Sequence, residues 1–104
     1  MVTIEKLGIL LSPTEFNFEN NGVFNAGIYQ EDNILHILYR AVEHGNFSTI
    51  GYAKTEGPLS ITERNEQPLI LREFDYEKHG VEDPRIVKIE DTYYITYTAY
   101  DGVN

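Results

Sequence analysis

Period-two alternation of apolar and polar residues dominates this chain, and helical periodicity is poor. Ile34-Leu35-His36-Ile37-Leu38-Tyr39-Arg40-Ala41 reads as a strand entered from the turn Glu31-Asp32-Asn33. Thr49-Ile50-Gly51-Tyr52-Ala53-Lys54 reads as its neighbour, reached through His44-Gly45-Asn46. Arg85-Ile86-Val87-Lys88-Ile89 and Tyr93-Tyr94-Ile95-Thr96-Tyr97-Thr98 flank Glu90-Asp91-Thr92 and predict a hairpin. About half the chain is strand on this pattern, with no long helix. The prolines at 13, 58, 68 and 84 fall outside these strand interiors, as expected where proline would remove a ladder donor.

The pattern also repeats at a distance. Displacing the chain by 58 residues lays Gly22–Glu43 on Gly80–Asp101 without a gap. Six of these 22 positions are identical: Gly22 with Gly80, Val23 with Val81, Ile28 with Ile86, Ile37 with Ile95, Tyr39 with Tyr97 and Ala41 with Ala99. The turn Glu31-Asp32-Asn33 falls on Ile89-Glu90-Asp91, so turns and strands recur together. A fixed period of this order marks an array of four-stranded sheets, as in a β-propeller. The chain is therefore read as all-β, about one and a half antiparallel blades, with units at about 22–79 and 80–104. The second unit has only two strands, so 1–104 is expected to be a single N-terminal fragment of a larger propeller domain. A self-sufficient β-sandwich of this size is the alternative.

Composition narrows the function more than the fold. At 104 residues there is room for one small domain, and 41% hydrophobic with 12% aromatic residues supply a core. Eight tyrosines without a tryptophan suit sheet faces, where the ring packs and the hydroxyl reaches water. A formal charge of −9 argues against a nucleic-acid partner, which requires clustered Lys and Arg. With no cysteine, disulfides and thiolate metal sites are excluded. No apolar stretch is long enough for a membrane helix, and the first residues lack the pattern of a signal peptide. A cytoplasmic location without a membrane partner is expected. His36, His44 and His79 lie far apart, and no His, Asp and Glu set has metal-ligand spacing, so no metal is expected.

The densest chemistry is Gly80-Val81-Glu82-Asp83-Pro84-Arg85. A carboxyl beside another carboxyl tends to hold its proton, whereas a nearby guanidinium favours its loss. Opposed influences of this kind keep one acid usable near neutral pH. Asp83 has two readings, a general acid or an Asp-Pro turn that opens a strand. Arg85 either holds Asp83 or an oxyanion through its fork of donors, or forms a structural ion pair with Glu82 or Asp83. Arg40 stands in an apolar run, where a guanidinium needs partners, and its repeat mate is Thr98, so packing does not demand the charge. His36 is read as a strand-surface residue and His79 as a bystander of the motif.

Five stretches, in order from about residue 20 to the end, resemble glycoside hydrolase family 130, the phosphorylases acting on β-mannosides. They are Gly22-Val23-Phe24-Asn25-Ala26-Gly27, Leu38-Tyr39-Arg40-Ala41, Ile50-Gly51-Tyr52-Ala53, Gly80-Val81-Glu82-Asp83-Pro84-Arg85 and Tyr93-Tyr94-Ile95-Thr96-Tyr97-Thr98-Ala99-Tyr100-Asp101. The resemblance implies a five-bladed β-propeller with its active site at the mouth of the central channel. It also implies an inverting attack on a β-mannosidic bond, by phosphate in the phosphorylases and by water in the hydrolytic branch. Asp83 corresponds to the family's acid, which delivers its proton to the glycosidic oxygen through a sugar hydroxyl. Asn25 corresponds to a sugar-contacting Asn, and Arg40 to an Arg near the reacting sugar and phosphate. Glu82 then contacts sugar hydroxyls or tunes Asp83, with an exposed carboxylate as the alternative. The tyrosines of the last stretch are packing residues, or one of them stacks on a sugar. Ala26 stands where many members carry Pro, and Thr55-Glu56-Gly57-Pro58 replaces a more usual Ser-x-Asp-Gly turn. The later-blade Arg, Lys and His groups of the family lie beyond this length.

The chain is then expected to be part of a β-mannoside phosphorylase or hydrolase. Asp83 would be catalytic and Asn25, Arg40, Glu82 and Arg85 substrate-binding, with no cofactor and inorganic phosphate as co-substrate. The isolated chain is expected to be weakly active or inactive. A non-catalytic carbohydrate-binding module, or one that forms homo-oligomers through open sheet edges, is the reading from a different class.

Overall fold

A computed structural model describes residues 2–103. Six strands make up about half of them: β1 (Gly22–Glu31), β2 (Ile34–Glu43), β3 (Phe47–Glu56), β4 (Ile61–Arg64), β5 (Gly80–Ile89) and β6 (Thr92–Tyr100). Two single 3₁₀ turns, Asn17–Glu19 and Asp75–Glu77, are the helical content among the described residues. β1 to β4 form an antiparallel meander, and β5 and β6 form a second antiparallel pair. The hairpins turn where the sequence tolerates left-handed backbone. Asp32 (φ 54°) and Glu90 (φ 56°) open the two-residue turns of β1–β2 and β5–β6, and Gly45 and Asn46 serve β2–β3.

All six strands belong to one mixed sheet rather than to two separate antiparallel ones. The join is a single parallel pair, Ser48 with Gly80, supported by the Ser48 N–H donating to the His79 carbonyl at 3.3 Å. Gly80 leaves room for the join: a Cβ there would lie 3.2 Å from that of Ser48, a tight contact. Beyond this pair β5 leaves β3 and runs beside β1, touching it without a ladder. Pro84, expected outside strand interiors, lies within β5. It occupies the bulge between Glu82 and Arg85, where pairing with β6 skips, so no ladder donor is lost.

The offset of 58 residues recurs in the backbone. Gly22 faces Val42 and a bulge separates Phe24 from Gly27; Gly80 faces Tyr100 and a bulge separates Glu82 from Arg85. The 3₁₀ turns obey the same offset, Asn17–Glu19 mapping onto Asp75–Glu77, upstream of the stretch in which the sequence repeat is visible.

β2 is buried on both faces, which explains its nearly continuous apolar run. Ile37, Tyr39 and Ala41 point to one side, packing with Phe18 and Ala53 under Leu10, Leu11 and Phe16 of the N-terminal segment. Leu38 points to the other, packing with Ile50 and Val81 and with Ile86 and Ile95 of the second pair. This second cluster holds β5 and β6 against the meander and so sets where the motif of β5 stands.

Candidate active site

β1 and β5 lie side by side, and each carries the same irregularity. Asn25 (φ 47°) and Asp83 (φ 51°) are left-handed residues at the two equivalent bulges. Asn and Asp tolerate this backbone better than other side chains, because they are short and bond locally. A bulge leaves its residue out of the ladder and re-aims the side chain. Here it aims both toward the same place: Asn25 Nδ2 donates to Asp83 Oδ1 at 2.9 Å. Gly27 permits the approach, since a Cβ on it would lie 2.4 Å from the Pro84 carbonyl oxygen. Both residues sit inside strands, not in turns before them. Both are exposed, so the Asp83 carboxylate faces solvent with one oxygen held in place.

The neighbouring charges pair differently from the sequence expectation. Glu82 is bound by Arg40, whose Nη2 lies 3.3 Å from Glu82 Oε2. Arg40 Nε also donates to the buried Ser48 Oγ at 2.8 Å. No ion pair of Arg85 with Glu82 or Asp83 is present among the described residues; Arg85 is exposed, and its Nη1 donates to the Pro84 carbonyl at 2.8 Å. The Ser48–Gly80 join brings the start of β5 against β3, and with it Glu82 against Arg40. The bulge separates Arg85 from both carboxylates. The five predicted residues thus form two bonded pairs, Asn25–Asp83 and Arg40–Glu82, with Arg85 beside them on β5.

His79 packs between Phe47 and Tyr100, with ring centroids at 4.9 and 5.2 Å. His36 departs from its expected place on the strand surface. It is half-buried, with Nδ1 2.8 Å from the Tyr52 hydroxyl and Nε2 3.3 Å from Glu31. Glu31 is the hub of a second tie between β1 and β5, accepting from Lys88 Nζ at 2.7 Å and from the Tyr93 hydroxyl. Lys88 first and Tyr93 second hold its carboxyl below the usual range, against the opposing effect of burial. Ser48, Gly27 and the Glu31 hub escaped sequence reasoning. Gly27 left one signal, a glycine whose repeat mate is Arg85; Glu31 and Lys88 left none, because they are not repeat mates.

Clefts do not by themselves find this site. One of about 520 Å³ lies by Phe16, Glu43, Thr49, Gln67 and Arg72 and contains none of the five residues. Asn25 lines a smaller one of about 230 Å³ beside Leu10, Leu11 and Tyr39. Paired functional groups on aligned bulges are the better guide here, because Asp83 stands on an open surface.

Residues 6–104 match the model of glycoside hydrolase family 130, described as β-1,4-mannooligosaccharide phosphorylase. The chain belongs to this family. It is 37% identical over 107 aligned residues to a β-1,2-mannobiose phosphorylase of Thermoanaerobacter sp. (strain X514), covering 89% of this chain and 35% of the relative. A 1,2-β-oligomannan phosphorylase of the same organism is 31% identical over 110 residues, covering 96% of this chain and 37% of the relative. The family 130 chain therefore spans about a third of the length of these curated relatives. Its fold superposes on a candidate glycoside hydrolase from Bacteroides ovatus ATCC 8483 with a TM-score of 0.79 and 25% identity, over 90% of this chain and 32% of that one. A candidate glycoside hydrolase from Parabacteroides distasonis ATCC 8503 shares the fold over 89% of this chain and 33% of that one, at a TM-score of 0.74 and 24% identity.

Proposed function

We propose that this chain is the acid-bearing part of a five-bladed β-propeller that cleaves β-mannosides by inverting phosphorolysis. The observation that carries this function is the 2.9 Å bond between Asn25 and Asp83, at equivalent left-handed positions of neighbouring units. In a propeller such positions come round to the central channel, where both side chains meet one ligand. Membership of the family and the phosphorylase names of two relatives support the substrate class.

Asp83 supplies the proton. It passes by way of a sugar hydroxyl to the glycosidic oxygen as the bond from that oxygen to C1 breaks. A phosphate oxygen bonds to C1 from the opposite face, leaving mannose 1-phosphate of inverted configuration and a free acceptor sugar. Phosphate arrives as an anion, so no general base is required. Asn25 orients the carboxylate and touches the sugar. Arg40, held by Ser48 and Glu82, sets a positive charge near the reacting sugar and phosphate, Glu82 meets sugar hydroxyls, and Arg85 serves an oxyanion.

The test is a chimera in which this segment replaces its counterpart in the β-1,2-mannobiose phosphorylase. Release of mannose 1-phosphate from β-mannobiose and from mannosylglucose is followed. Asp83→Asn is expected to lower kcat by ~10²–10⁴ with sugar affinity retained. An unchanged kcat in that variant sinks the assignment of Asp83, and hydrolysis without phosphate sinks phosphorolysis. The 104-residue chain alone is expected to show little or no turnover. A non-catalytic module is favoured by one observation, the outer edge of β6, which pairs with no strand among the described residues. It predicts sugar binding or self-association by the chain, and a chimera without turnover.

A further inference from the structure

The cleft of about 520 Å³ lies on the opposite face of the sheet from the candidate active site. Side chains alternate along β2 and β3, and the register sets Arg40 opposite Ile50 and Ala41 opposite Thr49. Arg40 and Ser48 therefore face the second pair of strands, on the side of Leu38 and Ile50. Glu43 and Thr49 face the other way, toward Phe16 and Phe18 of the N-terminal segment. Ser48 and Thr49 are consecutive, yet one holds Arg40 and the other lines the cleft, so a single sheet separates the two places. The cleft is closed on its third side by the loop between β4 and β5, from Glu66 to Arg72.

Two polar groups of the residues that line it stand without partners. Thr49 is 7% exposed, and its hydroxyl has no hydrogen-bond partner among the described residues. The same holds for Nε of Arg72, whose other nitrogens are engaged: Nη1 donates to the Lys78 carbonyl, and Nη2 lies 3.3 Å from Glu43. Buried polar groups are hydrogen-bonded as a rule, so two unpartnered ones beside one cleft call for a ligand that supplies the bonds. The surroundings define its chemistry. Glu15, Glu43 and Glu66 stand against one guanidinium, Arg72, which is already paired with Glu43. That balance repels an anion such as phosphate. Arg72 Nε asks for an acceptor, which an ammonium group lacks. A hydroxyl both donates and accepts, so it serves the carboxylates, Thr49 and the Arg72 N–H alike. Phe16, Pro68 and Leu71 add the apolar surface that a small-molecule site presents beside a few polar groups, and it suits the C–H face of a sugar ring.

We propose that this cleft is a second, non-catalytic carbohydrate site, which takes a neutral sugar through its hydroxyls. Its volume of about 520 Å³ is that of an ordinary small-molecule pocket. The site does not draw on Asp83, so its failure leaves phosphorolysis standing, and the reverse holds too. Turnover by the chimera decides between catalysis and a non-catalytic module, whichever way this cleft behaves.

The probe is β-mannobiose, titrated into the isotope-labelled 104-residue chain and followed by NMR. Saturable shifts of the Thr49, Gln67 and Leu71 amides are expected. Mannose 1-phosphate should bind there at least about tenfold more weakly, because its charge meets the carboxylates. A simple alkyl diamine, which any acidic patch would attract, should not compete. Thr49→Val removes the hydroxyl at nearly constant shape and should weaken β-mannobiose about three- to tenfold. The urea midpoint of that variant should hold or rise, because an unpartnered buried hydroxyl is gone. A threonine with a structural role would lower it. Asp83→Asn should leave binding at the cleft unchanged. The inference is overturned by absence of saturation, by shifts confined to the surroundings of Asn25 and Asp83, or by loss of the cleft shifts in Asp83→Asn. Equal binding of mannose 1-phosphate, competition by the diamine, and an unchanged affinity or a lowered midpoint in Thr49→Val overturn it as well.

Discussion

The two units share their strand pairing, bulges, turns and buried carboxylate, yet they keep that carboxylate in different ways. In the first, Glu19 is neutralised by Arg64 and roofed by the N-terminal segment. In the second, Glu77 relies on one hydroxyl and two amides, under a sheet with an open edge. A repeat thus copies backbone geometry faithfully, while the neutralising and covering groups come from other segments.

The comparison is broken most severely at Arg64. Arg64→Met leaves Glu19 buried without its cation and is expected to cost ~3–5 kcal/mol in urea unfolding. Glu77→Gln keeps one acceptor oxygen where the carboxylate offers two, one to the Glu73 and Phe74 amides and one to Tyr97, so it should cost about 1–3 kcal/mol, less than the loss at Arg64. Equal losses would show that the two carboxylates are held alike.

Gly27 comes next. Gly27→Ala drives a methyl group against the Pro84 carbonyl and is expected to cost ~1–3 kcal/mol, with loss of the Asn25–Asp83 bond, read from the Asn25 side-chain amide by NMR. At the mate position a side chain already exists, so Arg85→Ala should stay within ~0.5 kcal/mol.

The pH profile sharpens the contrast further. Glu31 and Glu77 have folded pKa values below the ordinary 4.5, so the unfolded chain binds more protons near that pH. Their contribution is full above 4.5 and is lost as pH falls below it through the folded values. Tyr97 behaves oppositely, its hydroxyl being pushed from 10.0 up to about 12, chiefly by Glu77. It contributes below pH 10 and is lost as pH rises toward 12. Urea midpoints across both ranges should show a shallower acid limb in Glu77→Gln and a shallower alkaline limb in Tyr97→Phe.

The smallest effect is expected at the Lys88–Glu31 tie, which has no counterpart between repeat mates. Lys88→Met should lower the melting temperature slightly at low ionic strength and not measurably at 1 M salt. A loss that persisted at high salt would make this tie a structural peer of the Glu19 cluster.

Much of this was legible beforehand. Strong alternation and the polar turns marked both hairpins, because side-chain period and turn chemistry are local properties. The 58-residue offset located the second unit, and its motif pointed to Asp83 and Asn25. The bulges were not legible. Pro84 suggested a strand boundary, yet the ladder skips it, and a skip depends on the partner strand. The partner of Arg40 was hidden as well, since Glu82 reaches it only after Gly80 docks on Ser48. Extending the repeat upstream to Glu15-Phe16 over Glu73-Phe74 and Glu19 over Glu77 would have exposed the buried carboxylates.

The sequence by itself determined the all-β class, the repeat, the family and the motif in which Asp83 stands, all of which follow from periodicity and residue order. The tertiary structure alone decided which charges meet. It joined the two pairs into one sheet, turned Asn25 and Asp83 toward each other, and gave Arg40 rather than Arg85 to Glu82. The physical reason is that periodicity and motifs are properties of nearby residues. Pairing across 58 positions depends instead on where a glycine lets two strands approach and where a bulge re-aims a side chain.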